Sequence, residues 1–154
     1  MILSDYTIPG GFLPRLECDT IAVVVHRLVE RILEGASPAT AAELSREVMR
    51  RESEGSTAIG GGLIIPHARF HGITEARIAV ATLAQAVDIP SEDGQPVDIV
   101  ILLIGPEGDP RQMLRVLARL ARLVRQDSFL QSLRHAETPA GLRAAFAKAG
   151  ETSI

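Results

Sequence analysis

The sequence predicts one α/β domain, a central mixed β-sheet flanked by helices on both faces. Three observations carry that prediction: amphipathic helical periodicity at both ends of the chain, strand-like apolar runs between them, and no linker, repeat or low-complexity tract in the 154 residues. A chain of this length encloses a core large enough to fold unaided, so the domain is expected to span residues 1–154.

The first helix is expected from Asp19 to Leu33. Ile21, Val24, Val25, Leu28, Val29, Ile32 and Leu33 fall on one stripe, Asp19 is the expected N-cap, and Gly35 can close the helix in a left-handed conformation. Ser37-Pro38 reads as the cap and first position of a second helix, with Ala41, Leu44 and Val48 inward and an end near Arg51–Glu54. The triplet Gly60-Gly61-Gly62 cannot form a stable helix, and the apolar run Leu63-Ile64-Ile65 stops at Pro66. Arg77 to Leu83 alternates small and branched apolar residues, as a strand does. Val97 to Ile104 is apolar enough for a central strand, and Glu92-Asp93-Gly94-Gln95-Pro96 is a turn between the two. Asp109-Pro110 caps a helix with an apolar stripe of Met113, Leu114, Val116, Leu117, Leu120, Ala121, Leu123 and Val124. Thr138-Pro139 opens a last short helix with Leu142, Ala145 and Phe146 inward.

Composition removes several classes of function. A net charge of −3 supplies no sequence-wide basic field for nucleic acid or anionic lipid, so a partner must be recognised locally. Cys18 stands alone, which excludes an intramolecular disulfide and fits a reducing compartment. The residues Met1 to Tyr6 lack the basic region and apolar run of a secretory signal. The longest apolar stretch, Val97 to Ile104, contains Asp98 and is far too short to cross a bilayer. A cytoplasmic location without membrane insertion is the expectation.

The chemistry concentrates between Arg51 and His67. Pro66 fixes its own φ and biases Ile65 towards an extended conformation, so an imidazole follows a short apolar strand on a rigid path. The glycines can bring backbone N–H groups close to an anion. A rigid imidazole beside free amides and an arginine suits reversible histidine phosphorylation: one ring nitrogen attacks, the other is held in one tautomer, and fixed donors meet the phosphoryl charge. The same histidine also reads as a solvated or structural residue, and the glycine triplet lacks the Lys-Ser/Thr ending of a Walker loop. His67 and His71 are four apart, but Pro66 and Gly72 argue against a helix there and no Glu or Cys completes a metal set. Neither a metal nor a cofactor is expected. No Gly-x-Ser-x-Gly elbow marks a serine hydrolase.

The stretch Arg51-Glu52, a short spacer, Thr57-Ala58-Ile59-Gly60-Gly61-Gly62, the trio Leu63-Ile64-Ile65, then Pro66-His67 resembles the active-site signature of the fructose, mannitol and nitrogen-regulatory class of enzyme IIA in the bacterial phosphotransferase system. The resemblance continues through Asp93-Gly94-Gln95-Pro96-Val97-Asp98, Gly105-Pro106 and the Leu114 to Leu123 run, and covers about residues 17–146. It implies the mixed-sheet fold, and a phosphocarrier component rather than a stand-alone turnover enzyme. It also implies phosphoryl acceptance at His67 from an HPr-like phosphocarrier protein. Arg51 corresponds to the family's arginine near the phosphoryl group, with a solvated charge at a helix end as the other reading. Ser56 and Thr57 can donate hydroxyl hydrogen bonds to a phosphoryl oxygen or merely hold the turn, and Gly60 and Gly62 are expected to support the site. Two departures stand out. Ala68-Arg69 follows the histidine where glycine is common, and Met113, preceded by Gln112, occupies about the position of the second histidine of sugar-specific members. Those departures favour a regulatory, nitrogen-type role over sugar-specific transfer to a permease B domain. The competing expectation is a non-catalytic interaction module that regulates a transporter or kinase. The arginines 111, 115, 119, 122 and 125 form a basic stripe that reads as a solvated helix face or as a dock for an acidic partner.

Overall fold

A computed structural model describes the backbone of residues 2–152 and the side chains of residues 2–149. Its centre is a six-stranded mixed sheet with helices on both faces. A 3-10 turn at Leu3–Tyr6 leads into β1, Thr7–Leu16. Sequence periodicity missed this strand because Pro9, Gly10, Gly11 and Pro14 interrupt any alternation. It survives at the sheet edge, where prolines are tolerated, and its pairing with the neighbouring strand is irregular between Thr7 and Phe12 and between Leu13 and Leu16.

Helix α1 spans Ile21–Ile32 and α2 spans Pro38–Glu54. The cap of α1 is Thr20 rather than Asp19. The Thr20 backbone is extended and its hydroxyl accepts from Val23 N at 3.3 Å. Gly35 adopts φ +89 beyond the helix end, and Ser37 caps α2 by accepting from Thr40 N at 3.2 Å. The short strands β2 (Ala58–Gly60), β3 (Leu63–Ile64) and β4 (His67–Phe70) follow. The long strands are β5 (Arg77–Val87) and β6 (Val97–Pro106). The order across the sheet is β1-β5-β6-β3-β2, with β4 pairing β6 further along. The run at Val97–Ile104 is accordingly the central strand that its composition predicts, buried throughout except at Asp98.

Helices α3 (Pro110–Leu123), α4 (Asp127–His135) and α5 (Pro139–Thr152) complete the chain. The nine-residue α4 escaped the sequence reading, since its cap residue Gln126 makes no side-chain cap bond to mark the start. It nonetheless buries Phe129, Leu130 and Leu133. The apolar stripe of α3 is narrower than expected: Met113, Val116, Leu120 and Leu123 are buried, whereas Leu114 is 61% exposed. Two cores result, one under α1 and α2 and one under α3, α4 and α5, separated by the sheet. No helix among the described residues is long and apolar enough to cross a membrane.

Candidate functional site

The strand β4 alternates strictly. Ala68 and Phe70 are buried in the α1–α2 core, so His67 and Arg69 face the other way. His67 pairs in register with Leu103, and Arg69 with Gly105. His67 is half-buried, and its Nδ1 lies 2.9 Å from the Ile65 carbonyl oxygen. A carbonyl only accepts, so Nδ1 carries the proton and Nε2 is left as the unprotonated, nucleophilic nitrogen of the neutral ring. Pro66, between the two partners, has no N–H to compete and makes the span rigid.

The residue that carries this carbonyl is itself anchored through its amide. Ile65 N donates to Thr57 Oγ1 at 3.1 Å; that hydroxyl donates to Glu52 Oε1 at 2.9 Å, while Thr57 N donates to Glu52 Oε2 at 2.6 Å. Both oxygens of Glu52, in the last turns of α2, thereby orient the segment that orients the imidazole. Glu52 stood in the Arg51-Glu52 pair without an assigned role, because a carboxylate acting through a threonine leaves no periodic or spacing signal. The Thr57 hydroxyl proton is taken by Glu52, so this side chain holds the turn. Ser56 Oγ accepts from Ala58 N at 3.1 Å and keeps its own proton to donate.

Arg51, Glu52, Glu54, Gly55, Thr57 and His67 line one cavity of about 230 Å³. Arg51 is exposed and makes no hydrogen bond or ion pair to any described residue. Its neighbour Arg50 is consumed by Glu47 at 2.7 Å and Glu54 at 2.5 Å; the Arg50 hydrogen bond holds the Glu47 carboxyl below the ordinary carboxylate range. Arg51 also borders a second groove of about 520 Å³, which Arg46, Arg69 and His71 share. Arg69, on the same side of β4 as His67, is thus a further cation next to the site. His71 lies in that second groove and pairs with Glu43 at 3.0 Å.

The glycines are elsewhere. Leu63 pairs with Ile99 and His67 with Leu103, so four residues along β6, roughly 13 Å, separate the glycine turn from the imidazole. All three glycines have positive φ, from 70 to 107. Gly61 N donates to Asp93 Oδ2 at 2.9 Å, and the Gly61 carbonyl accepts from Arg134. The Gly62 carbonyl accepts from Asp98 N at 2.9 Å and Ile99 N at 3.0 Å. The structure therefore brings Arg51, Thr57 and His67 around one cavity, sets Ser56 beside Thr57 in the same turn, and places Gly60 and Gly62 at the far end of the hairpin.

The position matched to a second histidine also turns away from the cavity. Met113 is 6% exposed and packs in the α3-side core, close enough to Gly105 that a Cβ there would stand 2.5 Å from it. Gln112 accepts from Ala76 N at 2.5 Å.

Comparison with known proteins agrees with this fold. The family model described as phosphoenolpyruvate-dependent sugar phosphotransferase system, EIIA 2, matches residues 12–149. A nitrogen regulatory protein of Bradyrhizobium diazoefficiens is 34% identical over 136 residues, 87% of each chain. The 2-O-alpha-mannosyl-D-glycerate-specific EIIABC component of Escherichia coli is 33% identical over 130 residues, 83% of this chain but only 20% of that one. The crystal structure of nitrogen regulatory protein IIA-Ntr from Neisseria meningitidis superposes with a TM-score of 0.82 at 26% identity, covering 94% of this chain and 98% of that one.

Proposed function

Because the chain belongs to the EIIA 2 family of the phosphoenolpyruvate-dependent sugar phosphotransferase system, we propose that His67 accepts a phosphoryl group from an HPr-like phosphohistidine protein and that the charged state serves regulation. The observation that carries the reading is the Nδ1 bond to the Ile65 carbonyl, which selects the tautomer with a free Nε2. Nε2 attacks the phosphorus as the donor's phosphorus–nitrogen bond breaks. The donor imidazole keeps that electron pair, and the His67 Nδ1 proton stays on Nδ1, donated to the Ile65 carbonyl throughout. Arg51, at the cavity wall with no hydrogen bond or ion pair to any described residue, offsets the charge of the transferring group. Ser56, outside the cavity lining but in the adjoining turn, is a further hydroxyl donor. No cofactor or metal enters these steps.

Two observations favour regulation over sugar transfer. The nitrogen regulatory relative matches over most of both chains, whereas the sugar-specific one is a much longer protein. Met113 offers a buried thioether, with no proton to assist onward transfer. The downstream target would then be a transporter or kinase that reads the phosphorylated state in the cytoplasm, with a permease B domain as the sugar-type alternative.

Incubation with phosphoenolpyruvate, enzyme I and HPr-type carriers should raise the intact mass by one acid-labile phosphoryl group. The His67→Ala variant should stay unlabelled, and a retained label would overturn the acceptor assignment. Offered to sugar permease B domains of the same cell, the phosphorylated protein should discharge slowly. Rapid, sugar-dependent discharge would replace the regulatory reading with sugar uptake.

A further inference from the structure

The outer face of α3 carries a charge pattern that the fold does not explain. From Pro110 to Gln126 there is no Asp or Glu, while arginines occupy positions 111, 115, 119, 122 and 125. The other residues together hold eleven basic against nineteen acidic side chains, a net charge of −8, so the chain is sharply segregated. Arg111, Leu114, Arg115, Ala118, Arg122 and Arg125 are all exposed, and the guanidinium groups of Arg111 and Arg115 bond to no described residue.

At the N-terminal half of the helix these features work against it, whereas Arg122 in the last turn suits the helix dipole. Arg111 and Arg115 are like charges at i,i+4, which repel. Arg111 lies in the first turn, where the helix dipole favours anions and the capping carboxylate of Asp109 already serves the backbone amides. Leu114, between them, is 61% exposed, the largest exposure of any large apolar side chain among the described residues. Nothing packs on it to repay that contact with water. A face whose Arg111–Arg115 pair and exposed Leu114 oppose the free state is complementary to something that supplies carboxylates and an apolar contact together.

We propose that this face docks an acidic, amphipathic segment of a partner protein, carboxylates meeting Arg111, Arg115 and Arg122 while an apolar side chain covers Leu114. A nucleic acid fits less well, since phosphates leave Leu114 uncovered and the −8 remainder of the chain repels them. The docking does not rest on phosphoryl transfer at His67, because α3 contributes no residue to that cavity.

The test uses the intact protein and a synthetic helical peptide in which glutamates surround one leucine, with unpatterned polyglutamate and duplex RNA in parallel titrations. The peptide should bind saturably, shift backbone amide resonances only around residues 111–125, and weaken with salt. Affinity should fall by about tenfold or more in Arg115→Glu/Arg122→Glu, and comparably in Leu114→Ser. Arg111→Glu should raise the thermal midpoint while weakening the peptide, since it removes a repulsion and improves the helix dipole. The proposal is overturned by absence of saturable binding, by polyglutamate or RNA binding as tightly as the peptide, or by indifference to Leu114→Ser. It is equally overturned if sedimentation shows the protein self-associating through α3, with charge reversal restoring the monomer; the partner would then be a second copy.

Discussion

The two ends of the hairpin formed by β2 and β3 are built from one continuous motif, yet they do different work. At the glycine end, three positive-φ residues turn the chain, Asp93 takes the Gly61 amide, and Arg134 ties α4 to the turn and to Asp98 at 2.8 Å. At the histidine end, Glu52 and Thr57 anchor the Ile65 amide, and the Ile65 carbonyl selects the tautomer of His67. The glycines turn the chain, and the imidazole is oriented through a carboxylate, a hydroxyl and a backbone carbonyl. A motif contiguous in sequence need not be contiguous in space when a strand runs through it.

The comparison yields a double dissociation. Substitutions at the histidine end should change phosphorylation rate more than stability; those at the glycine end should do the reverse. The largest expected effect is Arg51→Ala, which should slow phosphorylation by about ten- to a thousandfold, as for loss of one charged donor, with the thermal midpoint nearly unmoved. Stopped-time mass measurements check it, and unchanged kinetics would return Arg51 to a solvated charge. Next, Gly62→Ala places a Cβ 2.6 Å from the Arg134 guanidinium and 2.7 Å from Asp98, at a φ of +79. A loss of about 2 kcal/mol in denaturant unfolding is expected, with the folded fraction still accepting phosphoryl at a near-normal rate. Slow chemistry in that variant would mean the two ends are coupled.

Thr57→Val sharpens the contrast from the other side. It leaves Ile65 N without its acceptor and Glu52 without a hydroxyl donor, so about 1–2 kcal/mol of stability should go. Phosphorylation should slow as well, because the Ile65 carbonyl and the tautomer loosen together. The smallest effect concerns pH. Donation from Gly61 N, then from Gln95 N, holds the Asp93 carboxyl below the ordinary carboxylate range. Its folded value is lowered, so its stabilisation is complete above the ordinary carboxylate value and is lost as pH falls through the lowered one. Asp93→Asn should therefore flatten part of the acid limb of thermal midpoint against pH, without touching phosphorylation near neutrality.

Much of this was readable before any coordinates. The spacing of Ile21 to Ile32, the Ser37-Pro38 and Asp109-Pro110 starts and the apolar Val97–Ile104 run determined three helices and the central strand, since caps and periodicity are local physics. Pro66-His67 and the motif around it singled out the imidazole. Tertiary structure decided the rest. The irregular β1 and the four-residue β4 exist because β5 and β6 supply their hydrogen bonds, a condition that no local pattern encodes. Strand register, not motif order, separated Gly60 and Gly62 from His67, and the packing of α2 beside β4 set Arg51 against the cavity that His67 lines. Leu114 belongs to the helix's expected apolar stripe but lies outside the arc that packs against the sheet, and only helix packing could turn it to solvent. Sequence determines which residues prefer helix or strand; which of them meet is settled by long-range pairing, whose partners lie tens of residues away.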